Sequence, residues 1–313
     1  MPQENDIEAA AKALRAGDLV AFPTETVYGL GADASNNTAV ASVYAAKGRP
    51  AFNPLIAHVA DAAAAFRIGD FSPSAITLAE TFWPGPLSIV VPRANNCPVS
   101  LLASAGLPSI ALRVPSHPMA LELLRAFGGP VVAPSANPSG RVSPTSADHV
   151  RKALGNKVAI ILDGGRCKVG VESTVISFLD GQPKLLRHGG IARADIERVI
   201  RGPLLLESHS ARPQAPGQLL SHYAPRADLR LNVDSPRNGE TYLGFGPLHD
   251  HGPYSLSRAG DLVEAAANLF RLLHEIDASG ATSIAIAPIP HHGLGDAIND
   301  RLLRATAPRE NHD

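Results

Sequence analysis

The sequence predicts an α/β protein, in which a twisted sheet of parallel and antiparallel strands is followed by a small second α/β unit. Three observations lead to this expectation. Helical patterns alternate with short apolar runs through residues 7–187, which is typical of helical crossovers between strands. Asp180-Gly181 separates two apolar runs and indicates an antiparallel hairpin. The composition changes near residue 206, which indicates a second unit.

The elements of the first unit follow from hydrophobic spacing and from the turn residues between them. Helices are expected at residues 7–16, 38–47, 118–127 and 146–154. Strands are expected at residues 18–23, 54–59, 87–91, 109–114, 158–162, 174–178 and 184–187. Gly17 suits the end of the first helix, Ser116 suits the N-cap of the third, and residues 24–34 are expected to form a loop.

The second part of the chain differs in charge from the first. Residues 1–205 carry 19 Lys and Arg against 16 Asp and Glu, whereas residues 206–313 carry 9 Arg, no Lys and 13 Asp and Glu. The first part therefore suits an anionic ligand, although its excess is too small to predict nucleic-acid binding. Residues 206–227 lack periodicity and predict a linker. Residues 228–313 predict strands at 229–233, 241–245 and 283–287, and a helix with Leu262, Ala266, Leu269, Leu273 and Ile276 on one face.

Several common classes of protein are not indicated. Cys97 and Cys167 lie outside any C-x-x-C pair and are expected to be reduced thiols in a cytoplasmic protein. No signal peptide and no membrane span are expected. There is no Walker loop and no G-x-S-x-G elbow. The pair His291-His292 lacks a third ligand, so no metal site is predicted.

Two segments near the N-terminus hold residues that can bind a ligand. Residues 23–31 (PTETVYGLG) combine hydroxyls, a ring and glycines, which line a pocket or simply turn the chain towards a helix. Residues 47–58 (KGRPAFNPLIAH) place Lys47 and Arg49 at a helix end. A guanidinium binds phosphate bidentately, but both cations can equally cap the helix and face water.

Two further segments have the same ambiguity. Residues 133–145 (APSANPSGRVSPT) offer hydroxyls and backbone N–H groups to an anion, or form an ordinary Pro/Gly turn. Residues 171–175 (VESTV) and 186–190 (LRHGG) follow Gly164-Gly165, and Arg187 at the hairpin end can reach a nucleotide. The alternative is a surface ion pair between Glu172 and Arg187, which contributes little.

Together the segments PTETVYGLG, KGRPAFNPLIAH, FWPGPLS, SIALRVP, PSANPSGRVSPT, GGRCKVGVESTV and LLRHGG resemble the threonylcarbamoyl-AMP synthase family, which is built on the YrdC-like domain. They run in family order through residues 18–190. Residues 216–225 (PGQLLSHYAP) resemble the linker of its two-domain members, and residues 284–305 resemble the end of their C-terminal domain. Residues 218–221 depart from the family's linker pattern, which usually carries a basic residue.

The resemblance implies a nucleotidyltransferase that converts L-threonine, bicarbonate and ATP into threonylcarbamoyl-AMP and pyrophosphate. It also implies a concave basic pocket in the twisted sheet, a small Rossmann-like C-terminal domain and Mg²⁺ bound with ATP. The product would go to a downstream transferase that modifies tRNA, and a direct contact with tRNA is a further expectation. The domains expected are 1–205 (catalytic), 206–227 (linker and lid) and 228–313 (C-terminal).

The resemblance also assigns roles to individual residues. The positions matched to threonine are Tyr28, His58, Arg113, Ser135 and Ser173. The positions matched to ATP are Arg49, Asn53, Ser109, Asn137, Ser143, Arg187 and Tyr223. Lys47 and Arg49 are the expected catalytic residues, with Lys47 assigned to phosphate or carbamate charge. Residues 208–225 are expected to fold over the pocket as a lid.

Two other functions remain open on the sequence alone. The first is an RNA-binding or ribosome-associated module, for which interleaved basic and aromatic residues are expected; the candidate residues are instead mostly hydroxyls and amides. The second is a carbamoyl transferase, because the YrdC-like domain also occurs in carbamoyl-adenylate chemistry. Chains of that kind carry zinc-binding and acylphosphatase segments that this sequence does not contain.

Overall fold

The computed structural model describes residues 4–206, 222–249 and 252–307. In these ranges the helices are α1 Glu4–Ala16, α2 Asn37–Lys47, α3 Ala62–Ile68, α4 Pro73–Phe82, α5 Pro118–Phe127, α6 Ala147–Leu154, α7 Arg193–Ile200, α8 Leu262–Ala278 and α9 Gly295–Ala305. The strands are β1 Val20–Phe22, β2 Gly29–Asp33, β3 Ile56–His58, β4 Leu87–Pro92, β5 Ser109–Arg113, β6 Val131–Val132, β7 Ile160–Ile161, β8 Thr174–Ser177, β9 Lys184–Arg187, β10 Leu205–Leu206, β11 Asp228–Arg230, β12 Thr241–Gly244, β13 Tyr254–Ser255 and β14 Ser283–Ile286. None of these helices has both the length and the apolar composition needed to cross a bilayer.

The first ten strands form one sheet in the order β10-β9-β8-β4-β5-β3-β6-β2-β1-β7. The pairs β3–β5 and β4–β8 are parallel, whereas β4–β5 and β8–β9 are antiparallel. The predicted mixed sheet is therefore confirmed. The register of β3 on β5 places His58 opposite Arg113. Two of the residues expected to bind the substrate threonine are therefore neighbours.

The ends of α2 explain the positions of Lys47 and Arg49. The Asn36 side chain accepts hydrogen bonds from the first backbone N–H groups of α2 and caps the helix. Gly48 ends it with φ of 58°, a left-handed conformation that glycine adopts without strain. The chain therefore turns between the two cations, and both are buried. The alternative that they cap the helix and face water is wrong.

Two expectations about local structure are corrected. The glycine-rich stretch expected as a loop contains the strand β2, which pairs with β1 and β6. A Cβ atom at Gly31 would lie 2.8 Å from the Phe22 ring, so the missing side chain is what lets β2 pack. The N-cap of α5 is His117, whose side chain makes no capping hydrogen bond, and not Ser116; Pro118 is the first helical residue.

The second unit is a four-stranded sheet in the order β11-β14-β12-β13, in which all neighbours are parallel. The predicted apolar face of α8 is buried against it, through Leu269, Leu273 and Ile276 among others. Because β10 pairs with β9, residues 205–206 still belong to the first sheet. Residues 207–221, which hold most of the expected linker and lid, lie outside the described residues.

The two units share one hydrophobic cluster. Val27 and Val171 of the first unit pack in the same cluster as Phe270 of α8. Gly170 has φ of 75°, and a Cβ atom there would lie 2.4 Å from the carbonyl oxygen of Ala266. The backbone before β8 therefore lies directly against α8, so the second unit reaches the part of the first that carries Glu172 and Ser173.

Candidate active site

A cavity lies where the loop before β2, the turn after α2, the ends of β3, β5 and β9, and the loop after β6 converge. Seven predicted site residues line this arginine cavity: Arg49, His58, Arg113, Ser135, Ser173, Arg187 and Tyr223. Its volume is about 40 Å³. Ligand pockets usually enclose about 300–1,000 Å³. As the structure shows it, this cavity is therefore smaller than a typical ligand pocket.

Arg113 lies at the end of β5 and is held by three neighbours. Its Nη2 donates to Glu25 Oε1 at 2.5 Å and to Thr26 Oγ1 at 3.0 Å, and its Nε donates to the Gly85 carbonyl at 3.3 Å. Although burial opposes ionisation, Arg113 is the main group that holds the pKa of Glu25 below its ordinary value. Within the described residues Nη1 makes no hydrogen bond, so one edge of the guanidinium can receive a carboxylate.

His58 lies beside Arg113 and is 2% exposed. Its Nδ1 lies 3.2 Å from the Ile56 carbonyl, an acceptor, so Nδ1 carries the proton. Burial, reinforced by the Arg113 charge, lowers the pKa of His58 to about 3. The ring is therefore neutral at physiological pH and adds no positive charge next to Arg113.

Acidification is expected to destabilise the protein through His58. Because its folded pKa of about 3 lies below the ordinary value of 6.5, the unfolded state binds a proton that the folded state does not. The contribution of His58 to the free energy of unfolding is present above pH 6.5. It is lost as the pH falls below that value, by up to ~1.4 kcal/mol per pH unit. Urea unfolding at pH 7, 6 and 5 measures the slope. His58→Gln should lower the slope by up to ~1.4 kcal/mol per pH unit. The contributions of His149 and His222, whose pKa is also lowered to about 3 by burial, would remain. His292→Gln, at an exposed position, should leave the slope unchanged, and equal slopes in all three proteins would contradict the assignment.

Arg49 is fixed by the turn that follows α2. Its Nε donates to the Asn53 carbonyl at 3.1 Å, and its Nη2 donates to Asn53 Oδ1 at 2.6 Å and to the Pro54 carbonyl at 2.9 Å. Burial lowers the pKa of Arg49 to about 10, so the group stays protonated at neutral pH. Among the described residues Nη1 has no hydrogen bond. Asn53 thus orients the cation but does not line the cavity itself.

Lys47 holds the loop after β6 and does not line the cavity. Its Nζ donates at 2.5 Å to the carbonyl oxygens of Ser135 and Asn137, and its own carbonyl accepts from the Ser139 N–H at 2.7 Å. Burial, followed by the Arg49 charge, lowers its pKa well below the ordinary value. The structure therefore places Lys47 behind Ser135, outside the residues that line this cavity.

Ser173 and Arg187 form one hydrogen-bonded group at the start of β8 and the end of β9. Arg187 donates to the Ser173 carbonyl from Nε at 3.1 Å and from Nη2 at 2.9 Å, and Nη2 also donates to Ser173 Oγ at 3.1 Å. Ser88 Oγ lies 2.8 Å from Ser173 Oγ. Both Arg187 and Glu172 are buried, so the alternative of a surface ion pair between them is wrong.

Six predicted residues do not line the cavity: Tyr28, Lys47, Asn53, Ser109, Asn137 and Ser143. The Tyr28 hydroxyl instead donates to the Gly165 carbonyl at 2.8 Å and accepts from the Gly164 N–H at 3.2 Å. Asn137 donates to the Pro138 and Arg141 carbonyls, and its buried Oδ1 has no partner among the described residues. This oxygen is an acceptor that a ligand donor can satisfy.

The comparisons with known proteins cover almost the whole chain. The family model described as "Telomere recombination" matches residues 12–189, and the model described as "Threonylcarbamoyl-AMP synthase, C-terminal domain" matches residues 191–307. The threonylcarbamoyl-AMP synthase of Bacillus subtilis is 41% identical, across 97% of this chain and 93% of its own. This chain belongs to the threonylcarbamoyl-AMP synthase family. The member from Pyrococcus abyssi is 40% identical, across 98% of this chain and 96% of its own.

Solved structures agree with this membership. The crystal structure of P. abyssi Sua5 complexed with L-threonine has a TM-score of 0.88 and 38% identity, and the match covers 98% of this chain and 95% of that chain. Escherichia coli YciO, with a TM-score of 0.55 and 24% identity, covers 60% of this chain and 91% of its own. The second match shows a common fold over the matched part of the chain.

Reasoning from the sequence missed four polar groups in or beside this synthase-family site. Glu25 and Glu172 lie in recognised segments but were given no role, and His222 lines the cavity beside Tyr223. Arg301 on α9 was missed entirely, although it is 1% exposed and pairs with Glu172 at 2.7 Å. A signal was present for Arg301, because it falls at helical spacing among buried apolar residues of α9.

Proposed function

We propose that this chain is a threonylcarbamoyl-AMP synthase that converts L-threonine, bicarbonate and ATP into threonylcarbamoyl-AMP and pyrophosphate. The observation that carries the proposal is the convergence of Arg49, Arg113 and Arg187 on one buried cavity in a member of this family. The reaction brings a carboxylate and a triphosphate together. Buried guanidinium groups are suited to both, because their planar N–H groups match carboxylate and phosphate oxygens.

Threonine is proposed to bind at the end of the cavity formed by β3 and β5. The open edge of Arg113 would receive its carboxylate. Neutral His58 and the hydroxyls of Ser135 and Ser173 would surround its amine and side chain. Glu25 fixes the plane of Arg113, so the guanidinium is oriented before threonine arrives, and little side-chain entropy is lost on binding.

ATP is proposed to bind between Arg49 and Arg187, with Tyr223 and the unpartnered Oδ1 of Asn137 contacting the adenylate part. Threonine's amine and bicarbonate form a carbamate with loss of water. A carbamate oxygen then forms a bond to the α-phosphorus, and the bond from that phosphorus to the bridging oxygen breaks as pyrophosphate leaves. The arginines would bind and orient both reactants and neutralise charge on the transferring group, which requires no protein nucleophile.

Mg²⁺ is proposed to enter with ATP, held by phosphate oxygens and water, as is usual for this ion. The described residues fit this arrangement better than direct ligation by the protein. Glu172 is the carboxylate among the lining residues, and its two oxygens already accept from Ser143 and Arg301. When bound, the ion would neutralise phosphate charge. The arginines would share that task at the positions the protein fixes.

ATP–pyrophosphate exchange tests the proposed reaction. With threonine and bicarbonate present, labelled pyrophosphate should enter ATP, and omission of threonine should abolish the exchange. Exchange supported by carbamoyl phosphate without threonine would instead indicate a carbamoyl transferase. Tight RNA binding by a protein with no such exchange would indicate an RNA-binding module.

The product is a mixed anhydride of a carbamate and a phosphate, so its lifetime in water is limited. We propose that a downstream transferase uses it to modify tRNA, as expected for this family.

A further inference from the structure

Arg301 is a buried cation of the second unit that reaches into the candidate site of the first. Its Nε donates to Glu172 Oε2 at 2.7 Å, its Nη2 donates to the His188 carbonyl at 2.8 Å, and its Nη1 donates to Asp300 Oδ2 at 2.5 Å. The guanidinium carbon lies 5.0 Å from the centre of the Tyr223 ring. One side chain of α9 therefore contacts two residues that line the arginine cavity.

Glu172 is the partner that makes this contact important. It is 7% exposed and lines the cavity among cations proposed to bind ATP. One carboxylate oxygen accepts from Ser143 Oγ at 2.5 Å and the other accepts from Arg301. Burial alone would raise the pKa of Glu172, but Arg301, followed by Arg187, holds it below its ordinary value. Glu172 is therefore an anion inside a site proposed to bind an anion.

Arg187 is the second cation close to Glu172 and a proposed phosphate ligand. Its Nε and Nη2 donate hydrogen bonds to the Ser173 carbonyl, while Arg301 donates to the Glu172 carboxylate. If Arg301 were absent, the buried charge of Glu172 would lose its partner from α9, and Arg187 is the next positive charge that acts on it. A carboxylate paired with Arg187 would compete directly with phosphate for that guanidinium.

We propose that Arg301 is a positioning residue for nucleotide binding: it holds Glu172 and so leaves Arg187 arranged for ATP. This inference rests on the proposed function. It also gives the second unit a definite part in the reaction, because the charge balance of the cavity is incomplete without a side chain from α9. Threonine binding at Arg113 should depend little on Arg301, since Arg113 is held by Glu25 from the first unit.

The test compares Arg301→Met with the double variant Arg301→Met, Glu172→Gln. The single variant leaves the Glu172 charge without its partner, and we expect the Kd for ATP with Mg²⁺ to rise about tenfold and KM for threonine to change less than about twofold. The double variant removes the competing charge as well and should return the ATP Kd to within about threefold of the unchanged protein. Arg271→Met is the matched control, because Arg271 pairs with Glu275 inside α8.

Titration calorimetry with Mg-ATP reports on Arg301 even if the proposed chemistry is wrong, while exchange by the unchanged protein tests the chemistry separately. Recovery of ATP affinity in the double variant supports the inference, since general damage to the fold would not be repaired by a second substitution. Unchanged ATP affinity in Arg301→Met would overturn it, as would failure of Glu172→Gln to restore affinity in a double variant with an unchanged thermal midpoint. If the single variant does not fold, the double variant alone is measured. An ATP Kd within about threefold of the unchanged protein then supports the inference, and a weaker affinity contradicts it.

Discussion

Arg49→Lys is expected to lower kcat/KM for ATP by roughly a hundredfold to a thousandfold. Arg49 uses Nε and Nη2 to bond the backbone and side chain of Asn53 and the Pro54 carbonyl, which leaves Nη1 for the cavity. A lysine ammonium cannot hold the turn and reach phosphate simultaneously. The loss, ~2.7–4.1 kcal/mol, corresponds to one or two charge-assisted hydrogen bonds of ~1.5–3 kcal/mol each. Steady-state kinetics with varied ATP measures it.

The matched control for this substitution is Arg198→Lys, which alters a surface ion pair with Asp195. It should keep full activity, because exposed pairs contribute little. A rise in KM for ATP with kcat unchanged would show that the Arg49 contact is already made in the ground state. A fall in kcat would show that the contact is made only in the transition state. If Arg49→Lys retained more than about a third of kcat/KM, Arg49 would have no direct part in ATP binding.

The α/β class and the approximate positions of many elements could be predicted because they depend on local patterns. The hairpin of β8 and β9 follows from Asp180-Gly181 between apolar runs, and α5 matches its predicted range. The strand β2 could not be predicted in this way. Its glycines lower strand propensity, and close neighbours on the paired strands, such as the Phe22 ring and Val131, make small residues favourable there.

The cavity could be predicted in part. Family motifs identified Arg49, Arg113 and Arg187, and the sheet brings them to one place although they are far apart in the chain. Their partners could not be predicted, because a motif does not say which neighbouring atom a buried side chain will contact. Lys47 shows the limit: the same motif that contains Arg49 contains Lys47, but the helix end directs one cation to the cavity and the other to backbone carbonyls.

The ion pair between the two units was the feature hardest to predict from the sequence. Glu172 and Arg301 are 129 positions apart, and each reads locally as an ordinary charged residue near apolar neighbours. Their burial is decided by how α8 and α9 pack on the loop around Gly170. The arginine within the apolar face of α9 was the signal available, since a buried charge on such a face requires a partner.

Replacing Lys47 by Met is expected to lower kcat/KM roughly a hundredfold and to lower the thermal midpoint as well. The Lys47 Nζ group satisfies the Ser135 and Asn137 carbonyls, and its removal would leave both without that donor, at about 1–3 kcal/mol for each group that stays unpaired. The loop that carries Ser135 would lose its attachment to α2. Activity should therefore fall for threonine and ATP together, because Ser135 and Asn137 are proposed to serve different substrates.

Lys157→Met is the matched control for this change. Lys157 also donates to a backbone carbonyl at the end of α2, that of Ala46 at 3.1 Å, but it is exposed to water and does not contact the loop. The same substitution there should leave kcat/KM and the thermal midpoint nearly unchanged. A Lys47→Met protein that loses activity through KM for ATP alone, with its thermal midpoint unchanged, would instead indicate that the ammonium contacts phosphate directly. The structure argues against that outcome, since two carbonyl oxygens already surround Nζ on a side chain that does not line the cavity.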